Sequence, residues 1–316
     1  MKVPPRFVPG RGPFPTMIDN FLILFDAPVF AVQLLIDGLL VGALFALVAY
    51  GMALVWGVMN IINIAQGEFV IMGGYVALTV ANVGIPIVFG LPLAFIVLFF
   101  AGWLVFRIVI CRVVDQDLFT SILATFGISI LLQQLMNQIF TADVRTLESG
   151  LGMWFVLDNM VTISQIKVVT FVVALAFGAA IIIFMKKSRL GQSIRATAQN
   201  ARAARIMGIN TDRVYAFTYA LNAAICGAAG ALVVMTWLVH PFGGLAYTVR
   251  SFMIVVIAGL GNFPAVVAAG IGLGALENYA GFMLGTEFQM AFIFGLLVAI
   301  LVWRNFRLKK QRMVLK

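Results

Sequence analysis

The feature that most constrains this chain is a series of continuous apolar stretches, each close to the length of a bilayer crossing. They lie at roughly 31 to 56, 68 to 82, 86 to 110, 118 to 140, 168 to 185, 214 to 238, 251 to 283 and 288 to 303. A hydrocarbon core needs about 20 predominantly apolar residues per helix, and inside it every backbone N–H and C=O must find a partner. These runs are continuous rather than alternating, which favours helices over barrel strands. Only 10% of the 316 residues are charged and 63% are hydrophobic, with a mean hydropathy of +1.07. That leaves too little polar surface to cover a soluble globule. The expected fold is an all-α polytopic transmembrane helix bundle. The 251 to 283 run is long enough to cross twice, divided at Gly259-Leu260-Gly261-Asn262-Phe263-Pro264, which gives eight or nine spans.

Residues 1–30 read as an amino-terminal extension, 31–304 as the transmembrane domain and 305–316 as a basic tail. The opening MKVPPRFVPGRGPFPTMIDN is rich in Pro and Gly. It lacks the short apolar core and small-residue cleavage site of a signal peptide. Cys111 and Cys226 stand far apart near or within apolar runs, and read as small packing residues rather than as a disulfide or metal pair.

Orientation follows from lysine and arginine. Lys186, Lys187, Arg189, Arg195, Arg202, Arg205 and Arg213 face a single acid, Asp212, so loop 186–213 is expected in the cytoplasm, as is the tail WRNFRLKKQRMVLK. Asp143, Glu148 and Asp158 with only Arg145 suit the outside, as does the region of Glu277 and Glu287. Counting crossings back places the amino terminus outside, although Lys2, Arg6 and Arg11 favour the cytoplasm. Either NFLILFDAPVF adds a further helix or the extension lies on the outer surface. The net charge of +9 comes mostly from the loop and tail, where it sets topology and meets anionic lipid. No stacking aromatics are interleaved there, which argues against nucleic acid as a partner.

Two polar interruptions divide the apolar pattern. In ALVWGVMNIINIAQGEFVIMGGYVAL, Asn60, Asn63, Gln66 and Glu68 fall between apolar runs, with Gly67 free to break a helix. In the second half HPFGGLAYTVR, from His240 to Arg250 and including Gly243 and Gly244, plays the same part. Each half then has a long helix, a break and a second apolar segment, and the halves run in opposite senses, as in an inverted repeat. Irregular backbone at membrane depth is tolerated only where protein or a water-filled cavity satisfies it, so the two breaks are candidates to border a solute pathway. Ordinary surface loops are the competing account, strongest for His240 and Arg250. Small-residue pairs, Gly38/Gly42, Ala223/Gly227, Gly270/Gly274 and Gly281/Gly285, mark close helix contacts without pointing to a function.

The stretch LGQSIRATAQNARAARIMGIN carries helix formers and arginines, no Pro, and is bounded by Gly191 and Gly208. As one helix from about Gln192 to Met207 it would place Arg195 and Arg202 on a shared face with Arg205 a turn further on, beside a strip of Ala198, Ala201 and Ala204. Such a helix suits a groove on another protein, or anionic headgroups.

GQSIRATAQNARAARIMGINTDRVYAFTYALNAAICGAAGAL closely resembles the cytoplasmic loop and following helix of permease subunits in the branched-chain amino-acid ABC transporter family. Two further blocks, GLLVGALFALVAYGMALVWGVMNIINIAQGEFVIMGGYVAL and VIAGLGNFPAVVAAGIGLGALEN, agree in family order, and the resemblance extends from about Gln33 to Arg304. It implies that the loop holds a coupling helix, with Gly191, Arg195, Arg202, Arg205 and Gly208, for separate ATP-binding subunits. It also implies a second related permease subunit and a soluble extracytoplasmic binding protein, in a bacterial or archaeal cytoplasmic membrane. The family commonly has His where this chain has Gln66, and Gly-Gly with Ser-Ile-Pro-Gly where this chain reads Gly259 to Ala265. Its members are associated with leucine, isoleucine and valine, other amino acids, short amides or urea.

No GxxxxGK[ST] phosphate loop occurs and none of the seven lysines follows a glycine, so ATP and Mg are expected on partner ATPase subunits and no cofactor in this chain. No metal-ligand spacing or nucleophile motif suggests an enzyme. Two rivals stay open. An ion-driven carrier would use Glu68 as its intramembrane site, and a passive channel would suit urea or an amide.

Overall fold

In a computed structural model, residues 20, 21, 24, 26–148, 150–156 and 161–314 are described. They form eleven helices: α1 (Pro28–Met59), α2 (Gln66–Asn82), α3 (Gly90–Ile108), α4 (Leu118–Phe140), α5 (Gln165–Lys187), α6 (Arg189–Gln199), α7 (Ala201–Ile206), α8 (Thr211–Thr236), α9 (Gly244–Ala258), α10 (Phe263–Leu284) and α11 (Gln289–Val314). Between α4 and α5 lies one short hairpin, β1 (Met153–Val156) antiparallel to β2 (Val161–Ser164), with Met153 opposite Ser164. The sequence had indicated only an acidic outer stretch there, of which Asp158 lies outside the described residues.

Among the described residues six helices are long and apolar enough to cross a membrane, including α1, α4, α5, α8 and α10, with α3 extended by its flanking 3-10 turns. Helix α9 and the apolar part of α11 are shorter. The expected eight or nine spans thus resolve into six long helices and the shorter α2, α9 and α11. The long 251 to 283 run is divided where expected, at 259–262, by Gly259 and Gly261 at φ +81° and +82°. These are left-handed conformations that glycine adopts without strain.

Helices α1 and α8 form the buried centre. They are antiparallel: Phe45 stacks on Trp237, and further along α1 Gly51 lies against Asn222. Helix α10 lies antiparallel along α1, and the two GxxxG pairs interlock. A Cβ on Gly38 would come within 2.6 Å of the Ala275 backbone, and one on Gly42 within 2.6 Å of Gly270 and Ile271. Helix α3 lies antiparallel along α8 in the same manner, with Gly227 against Ala94 and Leu98, and Gly102 against Ala220. The packing of α1 with α10 and of α3 with α8 are exchanged when the two halves of the chain are exchanged. Since α1 and α8 run oppositely, the halves are inverted. The Gly281/Gly285 pair makes no such crossing. Gly281 packs on Gln289, and Gly285 at φ +93° ends α10.

The bundle has two distinct ends. Asp37 of α1 pairs with Lys167 of α5 at 2.8 Å, so these helices run in parallel from the end that carries the hairpin. At that end Arg145 exchanges backbone hydrogen bonds with Val239, and its guanidinium donates to the Phe140 carbonyl. The other end carries α6, α7 and the basic loop. There Asp117 caps α4. Its carboxyl, held by the Thr120 hydroxyl and then by the Thr120 amide, lies below the usual carboxylate range. Asn20 donates to the Phe282 carbonyl beside the hairpin end.

The expected single helix from Gln192 to Met207 is two. Ser188, Asn200 and Asn210 each accept a hydrogen bond from an amide three residues on, and so start α6, α7 and α8 in turn. Asn in a helix interior competes for the backbone and is better used as a cap. Asn200 accordingly takes extended geometry and ends α6. Arg195 and Arg202 therefore stand on different helices, and the alanine strip is not continuous, because Ala204 is buried while Ala198 is exposed.

Candidate functional site

The first break begins where α1 stops at Asn60, which takes φ 54° and returns its N–H to the Trp56 carbonyl. Asn is among the few non-glycine residues that accept this left-handed geometry. Residues 60–65 then run back into the bundle. Gln66, the first residue of α2, donates to the Val48 carbonyl at 3.0 Å. Val48 stands eleven residues before the end of α1, about 16 Å at 1.5 Å per residue. Helix α2 therefore starts deep inside and runs toward the hairpin end, where Tyr75 stacks on Phe140.

The second break mirrors it. Helix α8 stops at Trp237, the chain turns through His240 and Gly243, and α9 starts at Gly244 and runs to the basic end, where Phe252 stacks on Trp56. The two half-helices meet at their amino termini. A Cβ on Gly67 would overlap the Gly244 carbonyl, and the Gly67 N–H donates to the Thr248 hydroxyl at 2.8 Å. These glycines are required for close approach of two backbones.

The freed backbone of the first break is satisfied from neighbouring helices, as lipid-depth backbone requires. The Thr125 hydroxyl of α4 accepts from the Ile64 N–H at 3.2 Å and donates to the Ile62 carbonyl at 3.1 Å. The Thr248 hydroxyl of α9 donates to the Ile64 carbonyl at 2.9 Å.

Around this junction lies a closed polar cluster. Asn63, Gln66 and Glu68 are each 0% exposed. Tyr219 donates to Asn63, and Gln66 donates to the Cys226 sulfur at 3.0 Å. Cys226 thus belongs to the cluster, beyond the packing role the sequence suggested. Glu68 Oε1 accepts from Ser129 at 3.1 Å and from Gln133 at 2.8 Å. Its Oε2 has no partner among the described residues, and the carboxylate lies against Gly244 at the start of α9. The buried Nδ2 of Asn222 and the hydroxyl of Tyr50 also lack partners among the described residues. Helix amino termini carry partial positive charge, so a carboxylate between two of them is favourably placed.

The structure thus brings together Asn63, Gln66, Gly67, Glu68 and Gly244, with Gly243 next to them. His240 belongs to the turn instead: its carbonyl accepts from the Gly243 N–H, and its ring makes no hydrogen bond among the described residues. Of the loop residues, Gly191 packs where a Cβ would meet the Met185 backbone at 2.6 Å, and Gly208 takes φ +86° after α7. Arg205 is clamped to the Thr211 hydroxyl at 2.5 Å and lies 3.6 Å from Asp212. Arg195 and Arg202 are exposed, beside Ile206 and Met207 at 86% and 81% exposure.

Sequence reasoning missed several members. Thr125, Ser129 and Gln133 recur every four residues along α4, a polar stripe on an otherwise apolar helix that the spacing could have shown. It also gave no sign that Glu277, in a region expected outside, is paired: Glu277 sits within α10, 6% exposed, and accepts from Nε and Nη2 of Arg250. The guanidinium carbon of Arg250 lies 5.0 Å from the centre of the Phe45 ring. Two ionisable residues inside apolar runs were the available signal. Among the described residues no group of three potential metal ligands occurs.

Residues 34–301 match the family model of the branched-chain amino acid transport system permease component. Relatives agree over nearly the same range. The high-affinity branched-chain amino acid transport system permease protein LivH of Salmonella typhimurium is 28% identical over 288 residues, covering 87% of this chain and 94% of that protein. The corresponding protein BraD of Pseudomonas aeruginosa is 29% identical over 289 residues, covering 86% and 93%. A probable LivH of Methanocaldococcus jannaschii is 25% identical over 280 residues, covering 85% and 88%. No solved structure matches. With six apolar helices of spanning length, two opposed half-helices and a family match over most of its length, this multi-pass membrane protein belongs to the branched-chain amino-acid transport permease family.

Proposed function

We propose that this chain is the permease subunit of a binding-protein-dependent ABC importer for branched-chain or other amino acids, non-catalytic itself and driven by separate ATPase subunits that carry ATP and Mg. The observation that carries the reading is the meeting of two half-helix amino termini at Gly67 and Gly244, inside a buried cluster that holds the unpartnered Glu68 Oε2. In transporters built from inverted repeats, such termini face the solute. A zwitterion needs an acceptor for its ammonium and donors for its carboxylate. Glu68 Oε2 and Asn222 Nδ2 supply one of each.

In this reading the basic end faces the cytoplasm and the hairpin end receives the solute from a soluble binding protein. A second, related permease subunit completes the pathway. Two ATPase subunits engage α6 and α7 through Arg195, Arg202 and the exposed Ile206 and Met207. Helix α6 buries Ile194 and Thr197 and packs on α1, α5 and α8. A push on α6 is therefore delivered to the two helices that lead into the breaks, a route by which closure of the ATPases opens and closes the junction.

Glu68→Gln tests the pathway. It keeps size but exchanges a charged acceptor for an amide, which removes charge-assisted bonds worth about 1.5–3 kcal/mol each, or roughly tenfold or more in rate. ATP-driven uptake is expected to fall by at least that factor while the chain still inserts. Unchanged uptake and stability would remove Glu68 from the pathway.

A further inference from the structure

A cavity of about 680 Å³ opens at the hairpin end between α1, α5, α9 and α10, apart from the half-helix junction. Its volume falls within the range of about 300–1,000 Å³ usual for small-ligand sites. Exposed Thr146 stands on its lining at the hairpin end, and its inner limit includes the stacked Phe45 and Trp237 rings, 5.9 Å apart. One turn beyond Phe45 along α1, the Val48 carbonyl already accepts from Gln66. Along α1 the aromatic pair thus stands between Asp37 and the level of the junction.

Four charged groups line the cavity, in two pairs of different character. Arg250 and Glu277 are closed on each other. Both Nε and Nη2 of the guanidinium go to the one carboxylate, with side chains 13% and 7% exposed. Asp37 and Lys167 are open. Their side chains are 22% and 28% exposed, and a single bond of 2.8 Å joins them. Lys167 thus uses one of its three donors on Asp37, and each Asp37 oxygen accepts one bond, from Lys167 and from Gln33.

We propose that Asp37 and Lys167 form a reception site for the zwitterionic head of the solute, in advance of the junction. The solute ammonium joins the remaining lone pairs of Asp37, and its carboxylate takes the unused donors of Lys167. The pair then becomes an alternating square of four charges. The apolar side chain of the solute lies toward Val41, Phe45 and Trp237. Arg250 and Glu277 position the wall and stay paired. Asp37 and Lys167 are accordingly specificity-determining residues, which select solutes bearing both charges on one carbon over urea and amides. This inference rests on the transport reading above.

The test uses the full chain, purified with the subunits that accompany it and held in nanodiscs without binding protein. Exposed Cys111 is changed to Ser, buried Cys226 is kept, and Leu238→Cys supplies a reporter thiol on the cavity lining. Occupancy of the site slows thiol labelling by 1 + [L]/Kd, about threefold at twice Kd. L-Leucine is expected to slow labelling in this way. Leucinamide, which lacks the carboxylate, 4-methylpentanoate, which lacks the ammonium, and urea are expected to leave it unchanged. Asp37→Asn with Lys167→Met should abolish protection by leucine. Protection that persists in the double variant, or equal protection by leucinamide and 4-methylpentanoate, overturns the assignment. If the double variant does not fold, the ligand series on the otherwise wild-type chain still decides. Uptake by the same subunits in proteoliposomes, with the binding protein now supplied, separates the two readings. ATP-driven uptake with no protection by leucine refutes the cavity site alone. Protection with uptake indifferent to ATP supports the cavity site and refutes the importer.

Discussion

Glu277→Gln is expected to destabilise the protein by about 3–5 kcal/mol, the usual cost of leaving a buried charge without its partner. Arg250 cannot release its proton. It lies against Phe45 and Tyr247 with both Nε and Nη2 committed to Glu277, so the variant leaves a largely buried guanidinium without its paired carboxylate. Thermal unfolding followed by loss of the monodisperse chromatographic peak measures the effect. The paired change Arg250→Met with Glu277→Leu removes both charges and should recover most of the loss, since buried pairs are often replaced by apolar residues at little cost. A double variant no better than the single would show that the pair supplies something other than mutual neutralisation.

The second large effect is steric. Gly67→Val places a Cβ where the Gly244 carbonyl stands, with Thr248 Oγ1 also within 2.9 Å. Overpacking costs about 1–3 kcal/mol where side chains can yield, and more where they cannot. Here the obstacle is backbone, and the displaced elements are the two half-helix ends. Uptake is expected to be abolished, with a lower unfolding temperature. Gly127→Val on exposed α4 meets nothing within 4 Å and serves as the control that should leave both unchanged. Equal tolerance at positions 67 and 127 would mean that the half-helices do not approach as described.

The parts of the fold legible in the sequence were those set by continuous apolarity and by glycine. Run lengths gave the helices, the Gly-rich turn at 259–262 divided the long run, and the pairs Gly38/Gly42 and Gly270/Gly274 turned out to pack on each other. The first break was legible because Asn63, Gln66 and Glu68 interrupt apolar runs without room for a loop, whereas at His240 to Arg250 a surface loop accounted for the sequence as well. The convergence of the two breaks was not legible, because contact between residues 67 and 244 depends on the packing of α1 against α8. Arg250 was left between a pathway break and a surface loop, and Glu277 was placed only in an outer region; their burial as a pair was not legible because the partner stands 27 positions away. The bend at Asn200 was missed for a different reason: helix propensity around it is high, and one Asn that caps α7 outweighs it.

The measurement that bears most directly on the importer reading is solute uptake into proteoliposomes holding this subunit, its permease partner, the ATPases and the binding protein. It is made with and without ATP, in the wild type and in Arg195→Glu with Arg202→Glu. Arg205 is left unchanged because it clamps Thr211. Uptake is expected to require ATP. In the variant it should fall at least about tenfold, with the ATPases released, because like charges set against each other at an interface cost several kcal/mol. Uptake that proceeds equally without ATP and survives both substitutions would contradict the account, and would leave the basic loop as a topology signal on a channel or an ion-driven carrier.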